Sequence, residues 1–248
     1  MNKKTLIILG IILIAVIYGV KCYKKAIEIN PQDDVAYYNM GNAYKDKGNY
    51  NKAIECYEKS IEINPQDDDA YLNMGLAYYN KGNNNRAIEC YEKAIEINPQ
   101  YNEAYYNMGI VYRNKGNDNK AIECYEKSIE INPQYNEAYN NMGLAYDDKG
   151  NYNRAIECYE KSIEINPQLD QAYYNMGITY YDKGNYNKAI ECYEKSIEIN
   201  PQKDEAYYNM GVVYYNKGNN NKAIECFTIA ARMGSENAQK NLNIINGD

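Results

Sequence analysis

Every cysteine and every proline in this chain falls on one spacing. Cys22, Cys56, Cys90, Cys124, Cys158, Cys192 and Cys226 recur at 34-residue intervals, and so do Pro31, Pro65, Pro99, Pro133, Pro167 and Pro201. Two scarce residue types confined to a single period make the chain an array of one supersecondary unit, which settles the architecture before local propensity is weighed. A chain of 248 residues would otherwise be read as one or two ordinary domains. The period predicts one elongated domain whose units touch only their neighbours. Such an array offers a repeated surface, and a surface binds.

One unit, Asp34 to Asp67, shows why. Asp34 follows the Pro31 turn and is expected to cap a first helix. Ala36, Tyr37, Met40, Gly41 and Tyr44 form an apolar stripe at helical spacing. Gly48, within Lys47-Gly48-Asn49, ends that helix in the left-handed conformation. A second helix follows with Ala53, Ile54, Tyr57, Ser60, Ile61 and Ile63 on its buried side. On its outer side Glu55 is placed to pair with Lys59, four residues on. Asn64-Pro65 closes the unit, because proline cannot continue a helix and disfavours one in the residue before it. Two such helices cannot bury their faces alone, so stacking of units must bury them. Gly41 and its five equivalents let two helices approach closely.

The unit resembles a tetratricopeptide repeat, whose pattern is W-x2-L-G-x2-Y, then A-x3-F, then P. Here the pattern reads Tyr37-x2-Met40-Gly41-x2-Tyr44, then Ala53-x3-Tyr57, then Pro65. Tyr stands for Trp, Met for Leu and Tyr for Phe, while Ser60 often takes the place of Ala; these are size-similar changes on the same faces. The resemblance implies an all-α fold, a right-handed superhelix of antiparallel helix pairs. The expected repeats are 34–67, 68–101, 102–135, 136–169, 170–203 and 204–237, covering 204 of the 248 residues.

Both ends depart from the unit. Residues 21–33 match only the second half of a repeat. The missing first helix is replaced by an uncharged run from Thr5 to Val20 after Lys3 and Lys4. Residues 1–20 are therefore expected to be an N-terminal hydrophobic helix and single-pass membrane anchor, with a cleaved signal sequence and secretion as the alternative. Five lysines divided around the run leave the side of the membrane open. At the other end, residues 236–248 read as a more polar capping helix with Ala238, Leu242 and Ile245 on one side. An array needs such a cap to cover its last apolar face.

Composition excludes several kinds of chemistry. The chain has no histidine, which removes the commonest general base and metal ligand. Equivalent cysteines in stacked units lie roughly 10 Å apart, too far for a disulfide, which needs Cα atoms within about 7 Å. The cysteines read as small, partly buried apolar residues copied with the unit. Six copies of each residue type make no unique site, so neither an enzyme nor a cofactor is expected. The net charge is −7, which opposes nucleic-acid binding.

The resemblance places the second, fifth, sixth, ninth, twelfth and thirteenth residues of each unit on the concave side. The sixth is Asn in all six units: Asn39, Asn73, Asn107, Asn141, Asn175 and Asn209. An amide donates and accepts together, so it can hold a peptide backbone without reading side chains. The asparagines are expected to face solvent. Tyr38, Tyr106, Tyr174 and Tyr208 occupy the fifth position, and Tyr79, Tyr181 and Tyr215 the twelfth; tyrosine gives a large contact area at low entropy cost. Acids accompany them: Asp69, Glu103, Glu137 and Glu205 at the second position and Asp46, Asp148 and Asp182 at the thirteenth, against Lys45 and Arg113. The expected function is a membrane-anchored scaffold that binds an extended peptide or protein, neutral or basic rather than acidic. The alternative is a self-association module in which arrays stack on one another.

Overall fold

The computed structural model of the protein describes residues 19–246, which are helical throughout and contain no strand. The chain divides into two compact units, Met1–Lys120 and Ala121–Asp248. The first holds α1 (19–29), α2 (Asp34–Asp46), α3 (Tyr50–Ile63), α4 (Asp68–Asn80), α5 (Asn84–Ile97), α6 (Asn102–Asn114) and the first residues of α7 (Asp118–Ile131). The second holds the rest of α7, then α8 (Asn136–Asp148), α9 (Tyr152–Ile165), α10 (Asp170–Asp182), α11 (Tyr186–Ile199), α12 (Asp204–Asn216), α13 (Asn220–Arg232) and α14 (Glu236–Asn246). In each unit consecutive helices pack as helix–turn–helix repeats, and alternate first helices also touch, α2 with α4 and α8 with α10.

The turn inside each repeat is set by glycine. Gly48 has φ +71°, a conformation that side chains disfavour, and its N–H donates to the Lys45 carbonyl at 2.8 Å. A second glycine sets the helix–helix distance. A Cβ on Gly143 would lie 2.6 Å from Cε1 of Tyr159, a ring that is fully enclosed. The tyrosine therefore occupies space that only glycine leaves open on the facing helix.

Two local expectations are corrected. The cap of α2 is Asp33, whose Oδ1 accepts from the Ala36 N–H at 2.9 Å. Asp34 is the first helical residue, and it ties the repeat together instead. Its carboxylate accepts from Asn64 Nδ2 at 3.1 Å and its carbonyl from Ser60 Oγ at 2.9 Å. On α3, Lys59 pairs with Glu62 at 2.6 Å, one turn forward, and not with Glu55.

The expected single-pass membrane localisation is also overturned. Among the described residues no helix is long and apolar enough to cross a membrane, so an N-terminal hydrophobic helix and anchor are not supported. Residues 1–18, which hold most of the apolar run and any signal sequence, lie outside the described residues. The run's last residue, Val20, is buried with Met40 and Cys56. That end of the run packs onto the first repeat. At the far end α14 covers the last repeat: Ala238 is fully buried with Phe227 and Ala230, and Leu242 and Ile245 pack beside them.

Candidate binding face on the first helices

Within each compact unit the first helices carry Tyr and Asn at equivalent positions, and the period decides what they meet. Residues one repeat plus one apart become neighbours. Asn73 Nδ2 donates to Tyr38 Oη at 3.0 Å, and Asn209 Nδ2 to Tyr174 Oη at 3.0 Å. In the repeat with Asn140 in place of tyrosine, Asn175 Nδ2 donates to Asn140 Oδ1 at 3.0 Å. A second row runs parallel: Asn114 donates to Tyr79 Oη at 2.6 Å and Asn216 to Tyr181 Oη at 2.8 Å.

The asparagines are thus more enclosed than the sequence suggests. Asn175 is buried, its Oδ1 accepting from Gln171 at 2.8 Å, and the other five are half-buried. Asn73 also donates to the Asp69 carbonyl at 3.0 Å and accepts from Lys45 Nζ at 2.6 Å. Both of its amide hydrogens are therefore engaged. Asn107 donates to the Glu103 carbonyl of its own helix at 2.8 Å. Asn39 makes no side-chain hydrogen bond among the described residues. Asn141 and Tyr106 are half-buried at the corresponding places.

The tyrosines differ in exposure. Tyr38 and Tyr174 are half-buried, each packed 6.0 Å from the enclosed tyrosine of its own repeat, Tyr57 and Tyr193. Tyr208 packs on Phe227 at 5.8 Å and Tyr181 on Tyr186 at 5.6 Å. Tyr79 is half-buried, and Tyr215 is exposed. Burial raises the Tyr38 and Tyr174 hydroxyls above their ordinary pKa, so they remain protonated at neutral pH. Each of Tyr79, Tyr174 and Tyr181 accepts from an asparagine and keeps its own proton to donate.

Several residues of this side escaped the sequence reading. Asn114, Asn140 and Asn216 build the rows, and the 35-residue offset between Tyr and Asn was the signal that locates them. Lys203 is buried where the other repeats have Asp, Tyr, Leu or Asn. Its ammonium reaches Asp170 and Gln171 at 2.8 Å each and lies 4.7 Å over the Tyr174 ring. Burial pulls the Asp170 carboxyl upward, but hydrogen bonds from Lys203 and Asn200 and the ammonium charge hold it below the usual carboxylate range. Of the acids, Asp69 accepts from the Tyr101 hydroxyl, while Glu103 and Glu137 are exposed with no partner among the described residues.

All the thiols are free, and six are buried, with Cys22 exposed. Burial pushes Cys90, Cys158 and Cys192 up to about 12, so they stay protonated and unreactive. Among the described residues no group of side chains is placed to hold a metal ion.

Comparison with known proteins agrees with this geometry. Tetratricopeptide repeat models match residues 22–55, 103–135, 137–169, 158–191 and 204–237, and a TPR repeat model matches 41–82, 77–116 and 178–218. No curated protein matches the chain significantly. Among solved structures, the crystal structure of MamA is 32% identical with a TM-score of 0.62, over 67% of this chain and 97% of that one. YrrB, described as a TPR protein with an unusual peptide-binding site, is 27% identical with a TM-score of 0.61, over 75% of this chain and 96% of that one. The C-terminal part of a TPR repeat-containing protein from Cytophaga hutchinsonii shares the fold, at 19% identity and a TM-score of 0.74 over 92% of this chain and 95% of that one. A solenoid of stacked helix pairs with this repeat signature is a protein–protein interaction fold. The chain belongs to the tetratricopeptide repeat family.

Proposed function

We propose that the protein is a binding scaffold whose first helices hold an extended peptide segment of a partner protein. Each compact unit offers its own stretch of this face: Asn39, Asn73, Asn107, Tyr38, Tyr79 and Tyr106 in the first, and Asn141, Asn175, Asn209, Tyr174, Tyr181, Tyr208 and Tyr215 in the second. One observation carries the reading. The hydroxyls of Tyr79, Tyr174 and Tyr181 are fixed by asparagine amides and still have a proton to donate. A backbone carbonyl is the acceptor that an extended peptide presents at regular intervals. In this reading the amides of Asn73, Asn175 and Asn209 act mainly by orienting the repeats and the tyrosines.

The face favours a neutral or basic partner, since the exposed Glu103 and Glu137 repel an acidic one. The acidic body, at −7 overall, argues against nucleic acid. YrrB's described peptide site supports the same class of ligand. No step of catalysis is assigned to any residue.

The test places a photo-crosslinking amino acid at Tyr79 or Tyr181 and, as controls, at the exposed Glu191 or Glu225 on second helices. Partner crosslinks should form from the tyrosine positions and not from the controls. With a captured partner, Tyr79→Phe and Tyr181→Phe should each weaken binding by about 0.5–1.5 kcal/mol in calorimetry, the net contribution of one hydrogen bond. Crosslinks only from the controls, or unchanged affinity in both variants, would place the binding surface elsewhere.

A further inference from the structure

The second helices carry a device that the peptide-binding reading does not use. In four repeats a lysine near the start of the second helix lies over a tyrosine ring of the first. Lys52 sits 5.5 Å from the centroid of Tyr44, and Lys120, Lys188 and Lys222 sit 5.0 Å from those of Tyr112, Tyr180 and Tyr214. An ammonium over a tyrosine face at this distance is held by the ring's negative quadrupole.

The remaining two repeats have arginine at that place, and the contact is gone. Arg86 turns along its own helix to Glu89 at 2.7 Å, and Arg154 does the same to Glu157 at 3.0 Å. No cation lies over Tyr78 or Tyr146 among the described residues.

Beside Tyr78 lies an open cleft of about 560 Å³ whose lining includes Tyr71, Met74, Tyr78 and Cys90. Its rim holds two pairs that neutralise themselves, Arg86 with Glu89 and Lys93 with Glu96. Two further rim carboxylates, Glu58 and Glu92, have no ion pair among the described residues. The second compact unit carries the same residue types two repeats on, Tyr139, Met142 and Tyr146 with Glu126 and Glu160. An aromatic lining beside unpaired carboxylates fits an alkylammonium group. The chain's own lysines show the fit in the other four repeats.

We propose that the cleft over Tyr78, and its counterpart over Tyr146, receives a lysine side chain of a partner protein. The ammonium takes the place on the tyrosine ring that Lys52, Lys120, Lys188 and Lys222 fill elsewhere, and Glu58 or Glu126 answers its charge. The site lies on different residues from the Tyr and Asn rows and stands or falls separately from them.

The test uses the full chain with methyl-labelled methionines and nuclear magnetic resonance. The probe is N-acetyl-lysine-N-methylamide, and its norleucine counterpart is the uncharged control. The Met74 and Met142 methyl signals should move saturably with the lysine probe and not with norleucine, while Met108 and Met176 stay still. Arg86→Lys should weaken the Met74 response by about five-fold or more, the scale of one cation–π contact, and leave Met142 unchanged. That variant keeps the charge and installs the residue four repeats already carry, so folding is not at risk. Equal responses to norleucine would mean an apolar groove only. An Arg86→Lys response equal to the parent's, or no saturable response, would overturn the proposal.

Discussion

On the first helices, side-chain amides reach the neighbouring repeat: Asn209 holds Tyr174 at 3.0 Å and Asn216 holds Tyr181 at 2.8 Å. On the outer side of the second helices, lysines reach a glutamate in their own helix. Lys59–Glu62, Lys93–Glu96 and Lys161–Glu164 each close at 2.6 Å with side chains more than half exposed. Both sides are polar, yet the amides join one repeat to the next while these ion pairs stay within one helix. The difference follows from the period. A 34-residue repeat brings first helices close enough for side chains one repeat plus one apart to meet, and the pairs on the second helices are three residues apart and need no neighbour. A polar residue in such an array strengthens the stack only where the repeat geometry gives it a partner across the seam.

The largest expected effect tests the contact on which both sides depend. Gly143→Ala should destabilise the protein by about 1–3 kcal/mol, because the new methyl meets the enclosed Tyr159 ring. Urea unfolding of the variant checks this. Little change would mean that the ring can move aside and that glycine is not what spaces the helices.

Next comes the seam. A double-mutant cycle with Tyr174→Phe and Asn209→Ala should give a coupling of about 0.5–1.5 kcal/mol. Their hydrogen bond spans two repeats and is half-buried. Zero coupling would make the rows incidental and erase the contrast with the second helices. Asn175→Ala should cost more than Asn209→Ala, since it leaves the buried Asn140 carbonyl without its donor.

The interior between the two sides gives a pair of opposite sign. The Tyr57 hydroxyl donates to Asn42 Oδ1 at 2.7 Å, whereas the Tyr91 hydroxyl is buried without a partner among the described residues, Leu76 standing where Asn42 does. Tyr57→Phe should therefore destabilise by about 1 kcal/mol, and Tyr91→Phe should stabilise by up to about 1 kcal/mol. Repeat six already carries Phe227, opposite Val212. Thermal unfolding of the two variants decides it; shifts of the same sign would mean that hydroxyl satisfaction is not what distinguishes the repeats.

Much of this was legible in the residues. The spacing of Cys56 and Pro65 marks the unit, the Tyr-Met-Gly-Tyr stripe marks the face of the first helix that packs, and Gly48 marks the turn. These are local signals, and the repetition multiplies them. What the sequence hid lies between units. Asn175 looks solvent-facing on a helical wheel, and only stacking shows that Asn140 of the previous repeat receives it. Lys203 reads as a surface lysine until Asp170 and Tyr174 are seen around it. The apolar run before Lys21 suggests a membrane segment by composition alone, yet Val20 at its end is committed to Met40 and Cys56.

The smallest expected effect is on the outer side of the second helices. Lys161→Ala removes the ion pair with Glu164, which is 2.6 Å long but has side chains 60% and 69% exposed. Water solvates both charges when they separate, salt screens them, and holding two long side chains in one geometry costs entropy. The pair also lies within α9 and crosses no seam, so its loss leaves the stacking of repeats untouched. The glutamate raises the Lys161 ammonium above its ordinary value, first by the hydrogen bond and then by its charge. This raised pKa would favour the folded state below the lysine's unfolded pKa and lose that benefit as pH climbs through the folded one. At neutral pH the midpoint of urea unfolding should match the parent's within error, in low salt and at 0.5 M salt alike. A clear loss confined to low salt would show that charges on the second helices do stabilise the array, and the contrast between the two sides would narrow to one of degree.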